Sequence, residues 1–319
     1  MQPDSTKEKM SYRDILPGID RILHELRSSG IELGPDNQLI RMRDLAFRVI
    51  EAYDQGNSWG KRSELKQGYI ALLGLGEIIR LYNQAKKVDP HLLRIVKLHA
   101  PLLGHAGFGP IVDAADGDAS RKIFELSVGL AAIAAFSNVK LEDPNHSDPK
   151  NPNPDLIVEF NGDTIGIACK SLFTTDSNGL IANVKKAVGQ IEFAKNMGRV
   201  RRGLVLLDVS SLIVEDEWFY APHGQYWDPR WHEEDTRAMI ESCTAKLESN
   251  VTKNQLWKIF SGSSAFPCIA YYAHAAGLSM MADGVAPTIF KGILINRLND
   301  MSEVNSLLLV LNKAILGQL

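Results

Sequence analysis

Two short apolar segments around Asn161-Gly162-Asp163 constrain the fold of this chain more than any other feature. Residues 155–160 read Asp-Leu-Ile-Val-Glu-Phe and residues 164–170 read Thr-Ile-Gly-Ile-Ala-Cys-Lys. An Asn-Gly pair between such runs is a strong hairpin signal, because both residues tolerate the left-handed backbone that a tight turn needs. The pairing predicts an antiparallel hairpin. It also brings Asp155, which opens one strand, close to Lys170, which ends the other.

The flanking pattern builds a sheet protein around this hairpin. Upstream lie a helix over 119–136, with Ser120 as its candidate cap, a short strand over 139–142, and a Pro- and Asn-rich loop that ends at Pro154. Downstream, Ile181, Val184, Val188, Ile191 and Ala194 mark one face of a helix over 180–197. Residues 203–209 are apolar except for Asp208, which fits a mostly buried strand. The order from residue 119 is therefore helix, strand, strand, strand, helix, strand. A loop over 215–232, helices over 233–249 and 255–260, strands over 266–274 and 288–295, and a helix over 302–316 stopped by Gly317 extend or cover the sheet.

The first hundred residues read as all-helical, with helices over 17–28, 40–53, 64–86 and 90–99. Pro17 is placed in a first turn, and Ser58-Trp59-Gly60 breaks the second helix from the third. The stretch 101–118 carries Gly104, Gly107, Gly109, Pro110 and Gly117 and reads as a joint. The expected organisation is an N-terminal helical domain over 1–110 and an α/β domain over 119–319.

Bulk properties narrow the classes of function. With 319 residues and 45% hydrophobic content the chain can bury a sizeable core without disulfide staples. Cys169, Cys243 and Cys268 form no metal or redox spacing, which points to a reducing, cytoplasmic setting. Residues 1–9 lack the apolar core of a signal peptide, and the longest apolar run, 128–136, is too short to span a bilayer. The net charge of −3 argues against a small dedicated DNA-binding module. A local basic cluster exists all the same: Lys185, Lys186, Lys195, Arg199, Arg201 and Arg202. It reads equally as a solvated helix surface with a basic turn or as a nucleic-acid face.

Asp155 and Lys170 suit one chemistry in particular. Phosphodiester hydrolysis uses a divalent cation held by carboxylates to polarise the phosphate. Magnesium prefers oxygen ligands and keeps several waters. A lysine beside the attacking water can orient it or offset charge in the transition state. Pro154-Asp155, the hairpin, and Ile167-Ala168-Cys169-Lys170 resemble the PD-(D/E)xK nuclease superfamily, whose restriction-endonuclease-like core has the αβββαβ order seen from 119 to 209. Glu125, on the preceding helix, and Gln190, on the following one, stand where family members carry an acidic residue and a glutamine.

The resemblance implies a mixed-sheet nuclease domain behind the helical one. It implies cleavage of nucleic acid, DNA first, with magnesium as cofactor and manganese as the alternative ion. Restriction, repair and antiphage defence are the roles it suggests, with the helical domain docking a partner protein. Asp155, the acid of position 168, the carbonyl of Cys169 and Glu125 would hold the metal; Lys170 would act on the water and Gln190 would assist. The chain departs from the motif at Ala168, where a carboxylate belongs. Three origins are open: an acid replaced by Ala in this chain to trap substrate or block toxicity, a natural relative that does not cleave, or an acid that has migrated to Glu125 or Glu159. Retention of Asp155, Lys170, Glu125 and Gln190 favours the first. The alternative function is a non-catalytic nucleic-acid-binding or protein-interaction subunit.

Other features carry less. Trp218, Phe219, Tyr220, Tyr226, Trp227 and Trp231 crowd one loop and could stack bases, anchor an interface or pack on their own core. His223, Asp228, His232 and Glu233 satisfy no metal spacing. Leu73-Gly74-Leu75-Gly76 lies in a helical pattern and is no dinucleotide fingerprint.

Overall fold

The computed structural model describes residues 12–55, 62–93, 96, 117–142, 152–213, 229–281, 284–298 and 302–318. The expected hairpin is present as β2 (Leu156–Phe160) and β3 (Asp163–Ser171). Asn161 at φ 52° and Gly162 at φ 80° form its two-residue loop, both in the left-handed region that primed turns require. Register runs from Phe160 opposite Asp163 to Leu156 opposite Ile167.

The remaining strands are β1 (Ser137–Leu141), β4 (Arg202–Asp208), β5 (Ala265–Met281) and β6 (Gly284–Arg297). They join in sequence order into one mixed six-stranded sheet. β1 and β2 are antiparallel, β3, β4 and β5 run parallel, and β6 returns antiparallel to β5. The protein is thus of the α/β class. From Gly203 to Asp208 every residue of β4 is buried, as a central strand covered on both faces requires.

Among the described residues eight helices flank the sheet: α1 (Tyr12–Ser28), α2 (Gln38–Asp54), α3 (Arg62–Val88), α4 (Gly117–Ala135), α5 (Ser177–Asn196), α6 (Pro229–Glu248), α7 (Lys253–Phe260) and α8 (Ser302–Leu316). Alternate residues of β3 feed two separate cores. Ile165, Ile167 and Cys169 join a large core with α1 to α4 and α8. Ala168 joins a second core with α5, α6 and α7.

Several boundaries differ from the sequence reading for local reasons. α1 already runs from Tyr12, so Pro17 sits inside it rather than in a first turn. α4 starts at Gly117, which places Ser120 within the helix and not at its cap. α5 begins at Ser177 because the Asp176 carboxylate accepts from Asn178 N–H and Gly179 N–H. Half of the expected helix over 90–99 and most of the joint over 101–118 lie outside the described residues.

The helices α1 to α3 share their core with the sheet: Ile19, Leu75 and Ile79 belong to the same buried cluster as Phe124, Leu206 and Leu311. A buried ionic group fastens this contact. Glu77 on α3 takes Lys291 Nζ of β6 at 2.5 Å and Arg80 at 2.6 Å, and Arg80 donates to the carbonyl of Ile315 in the last turn of α8 at 2.6 Å.

A candidate active site at the carboxyl end of the parallel strands

Asp155 stands one residue ahead of β2, and continuing the register places it opposite Ala168. Gly166 makes this approach possible: a Cβ there would lie 2.8 Å from Pro154 Cγ, so the absent side chain lets the Pro154-Asp155 segment lie against β3. From the helix side, Gln190 Nε2 of α5 donates to Asn153 O at 2.6 Å and Arg199 Nη1 donates to Asn153 Oδ1 at 2.5 Å. The segment leading into Asp155 is therefore held from both directions.

Asp155 and Lys170 meet. Asp155 Oδ2 accepts from Cys169 N–H at 2.7 Å and from Lys170 Nζ at 3.1 Å. Lys170 Nζ also donates to Cys169 O at 2.6 Å. Both side chains are close to buried, at 8% and 11% exposure, so the pair is only weakly screened by water.

Ala168 is fully buried and packs in the same core as Leu180, Val184 and Ala187 of α5. Cys169 faces the opposite side of the sheet. Burial drives its thiol pKa well up, and the charges of Asp155 and Glu125 push it the same way. Glu125, half-buried on α4, thus acts electrostatically on the Cys169 side of β3. Gln190 is buried and serves the Asn153 contact, while its Oε1 has no hydrogen-bond partner. Glu159 is not near this group. It pairs with Thr164 at the turn end of the hairpin, is exposed, and accepts from Asn138 Nδ2 at 2.5 Å.

A second polar group occupies the same end of the sheet. Ser171 of β3 is in register with Asp208 of β4, and Asp208 with Tyr272 of β5. Asp208 Oδ1 accepts from Ser210 N–H at 2.9 Å and from Ser210 Oγ at 2.5 Å. Ser210 Oγ lies 2.9 Å from His274 Nδ1 and accepts from His274 N–H at 3.0 Å. With the hydroxyl proton given to Asp208, Ser210 Oγ can accept from His274 Nδ1 in the tautomer that carries its hydrogen there. Burial raises the Asp208 pKa and lowers that of His274, so both are driven toward their neutral forms. Sequence reasoning found Asp208 only as the one polar residue in an apolar strand; Ser210 and His274 carry no local signal.

The donors proposed for a divalent cation do not fit one as they stand. Asp155 already gives Oδ2 to two donors, Cys169 O is taken by Lys170, and position 168 offers a methyl group. Among the described residues no three His, Cys, Asp or Glu side chains stand close enough together to hold a metal ion.

The basic cluster of the sequence divides three ways. Arg199 holds Asn153; Lys195, Arg201 and Arg202 line one pocket; Lys185 lines another, beside Lys258 of α7. The aromatic loop lies almost wholly outside the described residues, as do His223 and Asp228. Among the described helices none is long and apolar enough to cross a membrane. No protein-family model matches the chain, and neither does any curated protein or solved structure.

Proposed function

We propose that this chain is a PD-(D/E)xK-type nuclease scaffold directed at DNA phosphodiesters, with hydrolysis withheld by the missing carboxylate at position 168. What carries the reading is the meeting of Asp155 and Lys170 where β2 begins and β3 ends. It occurs within a helix-strand-strand-strand-helix-strand order running from α4 to β4. A carboxylate at 168 would stand beside Asp155 and supply the second anionic ligand that the present donor set lacks. Lys170 is then the group poised against a water or a phosphate oxygen, and Gln190 holds the segment that presents Asp155. The helical region of α1 to α3 is proposed as the platform for a protein partner, and restriction or antiphage defence as the setting.

The test compares the chain with Ala168→Glu on single- and double-stranded DNA and RNA, with magnesium or manganese. Cleavage is expected from A168E alone, on DNA, and is expected to disappear in the A168E/K170M double variant. A folded A168E protein that cuts none of these substrates with either ion would overturn the reading.

One observation favours a second reading. Asp155 is already neutralised by Lys170 and Cys169 N–H, which suits a scaffold that binds nucleic acid or a partner and never cleaves. It predicts binding by the parent chain that weakens steeply with salt, and no gain of cleavage in A168E.

A further inference from the structure

We propose that a pocket at the other end of the sheet binds a phosphate-class oxyanion. It opens where β4 and β5 begin, with a volume of about 450 Å³, within the usual size of a small-ligand site. Lys195 from the last turn of α5, together with Arg201 and Arg202 at the head of β4, brings three cations to its wall. Ser263, Ser264 and Phe266 complete it.

The pocket is built rather than incidental. Arg202 is held twice: its guanidinium carbon stands 5.8 Å from the centre of the buried Phe266 ring, and Nη1 donates to Glu303 at 2.7 Å. Arg201 is anchored by Asp163 of the hairpin turn. Each of the two ion pairs engages Nη1 alone, and a guanidinium has five N–H donors in a planar fork suited to phosphate oxygens. Lys195 has no carboxylate partner among the described residues. Ser264 Oγ, on the pocket wall, is buried and has no hydrogen-bond partner, and it is a ready donor to an anion.

The carboxylates around the pocket set its selectivity. Asp163 and Glu303 offset two of the three cations, and Glu192 accepts the Ser264 N–H. The charge excess is therefore small. The pocket favours a multidentate oxyanion, which can collect several N–H and O–H donors at once, over a simple monovalent anion.

Arg202 is in register with Ile165 and Leu207 with Lys170, so the pocket stands five residues along the strands from Lys170. At about 3.3 Å per residue this is roughly 16 Å. A nucleic-acid backbone and a free phosphate ester offer the same chemistry to it. The inference does not depend on cleavage: an A168E protein that fails to cut leaves it untouched.

The experiment is isothermal titration of the full chain at fixed ionic strength, with inorganic phosphate in one arm and a short single-stranded oligonucleotide in the other. Lys195→Gln, at an exposed position, should weaken binding by about tenfold, the loss of one charge-assisted hydrogen bond. Asp163→Asn should act in the opposite direction and tighten it, because Arg201 is released from its carboxylate. Both responses with phosphate assign a small free anion; both with the oligonucleotide alone assign a backbone phosphate. Absence of binding in both arms, or affinities that neither variant moves, would overturn the proposal.

Discussion

Ala168→Glu should make the stability of this protein depend on divalent cations, which the parent chain should not show. Ala168 is fully buried in the core of α5, so the longer side chain overpacks its site at a cost of about 1–3 kcal/mol. The register brings the new carboxylate beside Asp155. Two such charges about 4 Å apart repel by about 4 kcal/mol at an effective dielectric constant near 20. Lys170 is attracted to both and returns part of this. A net loss on the order of 2–5 kcal/mol without metal follows, within the range of a severe single substitution. A cation that binds the carboxylate pair restores about 2.7 kcal/mol at a hundredfold excess over its Kd. The assay is urea unfolding of both proteins in EDTA and in saturating magnesium. The A168E midpoint should fall in EDTA and recover in magnesium, while the parent midpoint stays fixed. An A168E midpoint indifferent to magnesium, or a parent midpoint that moves as far, would refute the placement of position 168 beside Asp155.

Two further outcomes test the polar groups elsewhere in the core. Glu77→Gln should cost about 3 kcal/mol, because it removes the buried carboxylate that both Lys291 and the part-buried Arg80 engage. Fluorescence-monitored urea unfolding should register this as a shift of the whole transition, since α3 and the sheet share one core. Burial pushes the Glu77 pKa up, but Lys291 and Arg80 outweigh it and the pKa ends lowered. Its contribution is therefore present above the ordinary carboxylate range and lost as pH falls through the folded value, and E77Q should flatten the acid limb of a Tm–pH curve. Asp208 runs the other way. Its pKa is raised by burial, so its contribution is present below the ordinary aspartate range and is lost as pH rises through the folded value. Asp208→Asn keeps an acceptor for Ser210 and should remove that decline in the same curve; an unchanged slope would count against a raised Asp208.

The part of the fold legible in the sequence is the part fixed by local rules. Asn161-Gly162 specified its turn because few residues accept positive φ, and the alternation in 155–170 then fixed which residues share a face. The apolar stripe of α5 located that helix, although its start was placed three residues late because the Asp176 cap lies outside the stripe. The Asp155–Lys170 contact was legible for the same reason, since two strand ends one turn apart must come together. What stayed hidden depends on non-local register. Nothing in 265–274 or 210 shows that Ser210 and His274 converge on Asp208, because the parallel pairing of β4 with β5 is set across α6 and α7. The basic run, open to two readings in sequence, is also dispersed by the fold. Helix and strand geometry sends its members to a loop tether, a pocket at the strand heads and a groove beside α7.

The two polar groups at the carboxyl end of the sheet are linked by adjacency along a single strand. Lys170 turns toward the α5 side to meet Asp155, while its neighbour Ser171 is in register with Asp208 on the other. Between them Cys169 lies within the fields of Asp155, Glu125, Lys170 and Asp208. Burying charges here brings little stability, since apolar residues of similar volume in place of a buried ion pair are often neutral or stabilising by about 1–4 kcal/mol. The packing around Gly166, the tether from Gln190 and the double hold on Asp155 all work to position a carboxylate and an amine that the core itself does not need. That expenditure on geometry is easier to account for as a site for binding or chemistry than as structure, and it is why position 168, the one apolar member of the group, is the place where the proposal is most directly tested.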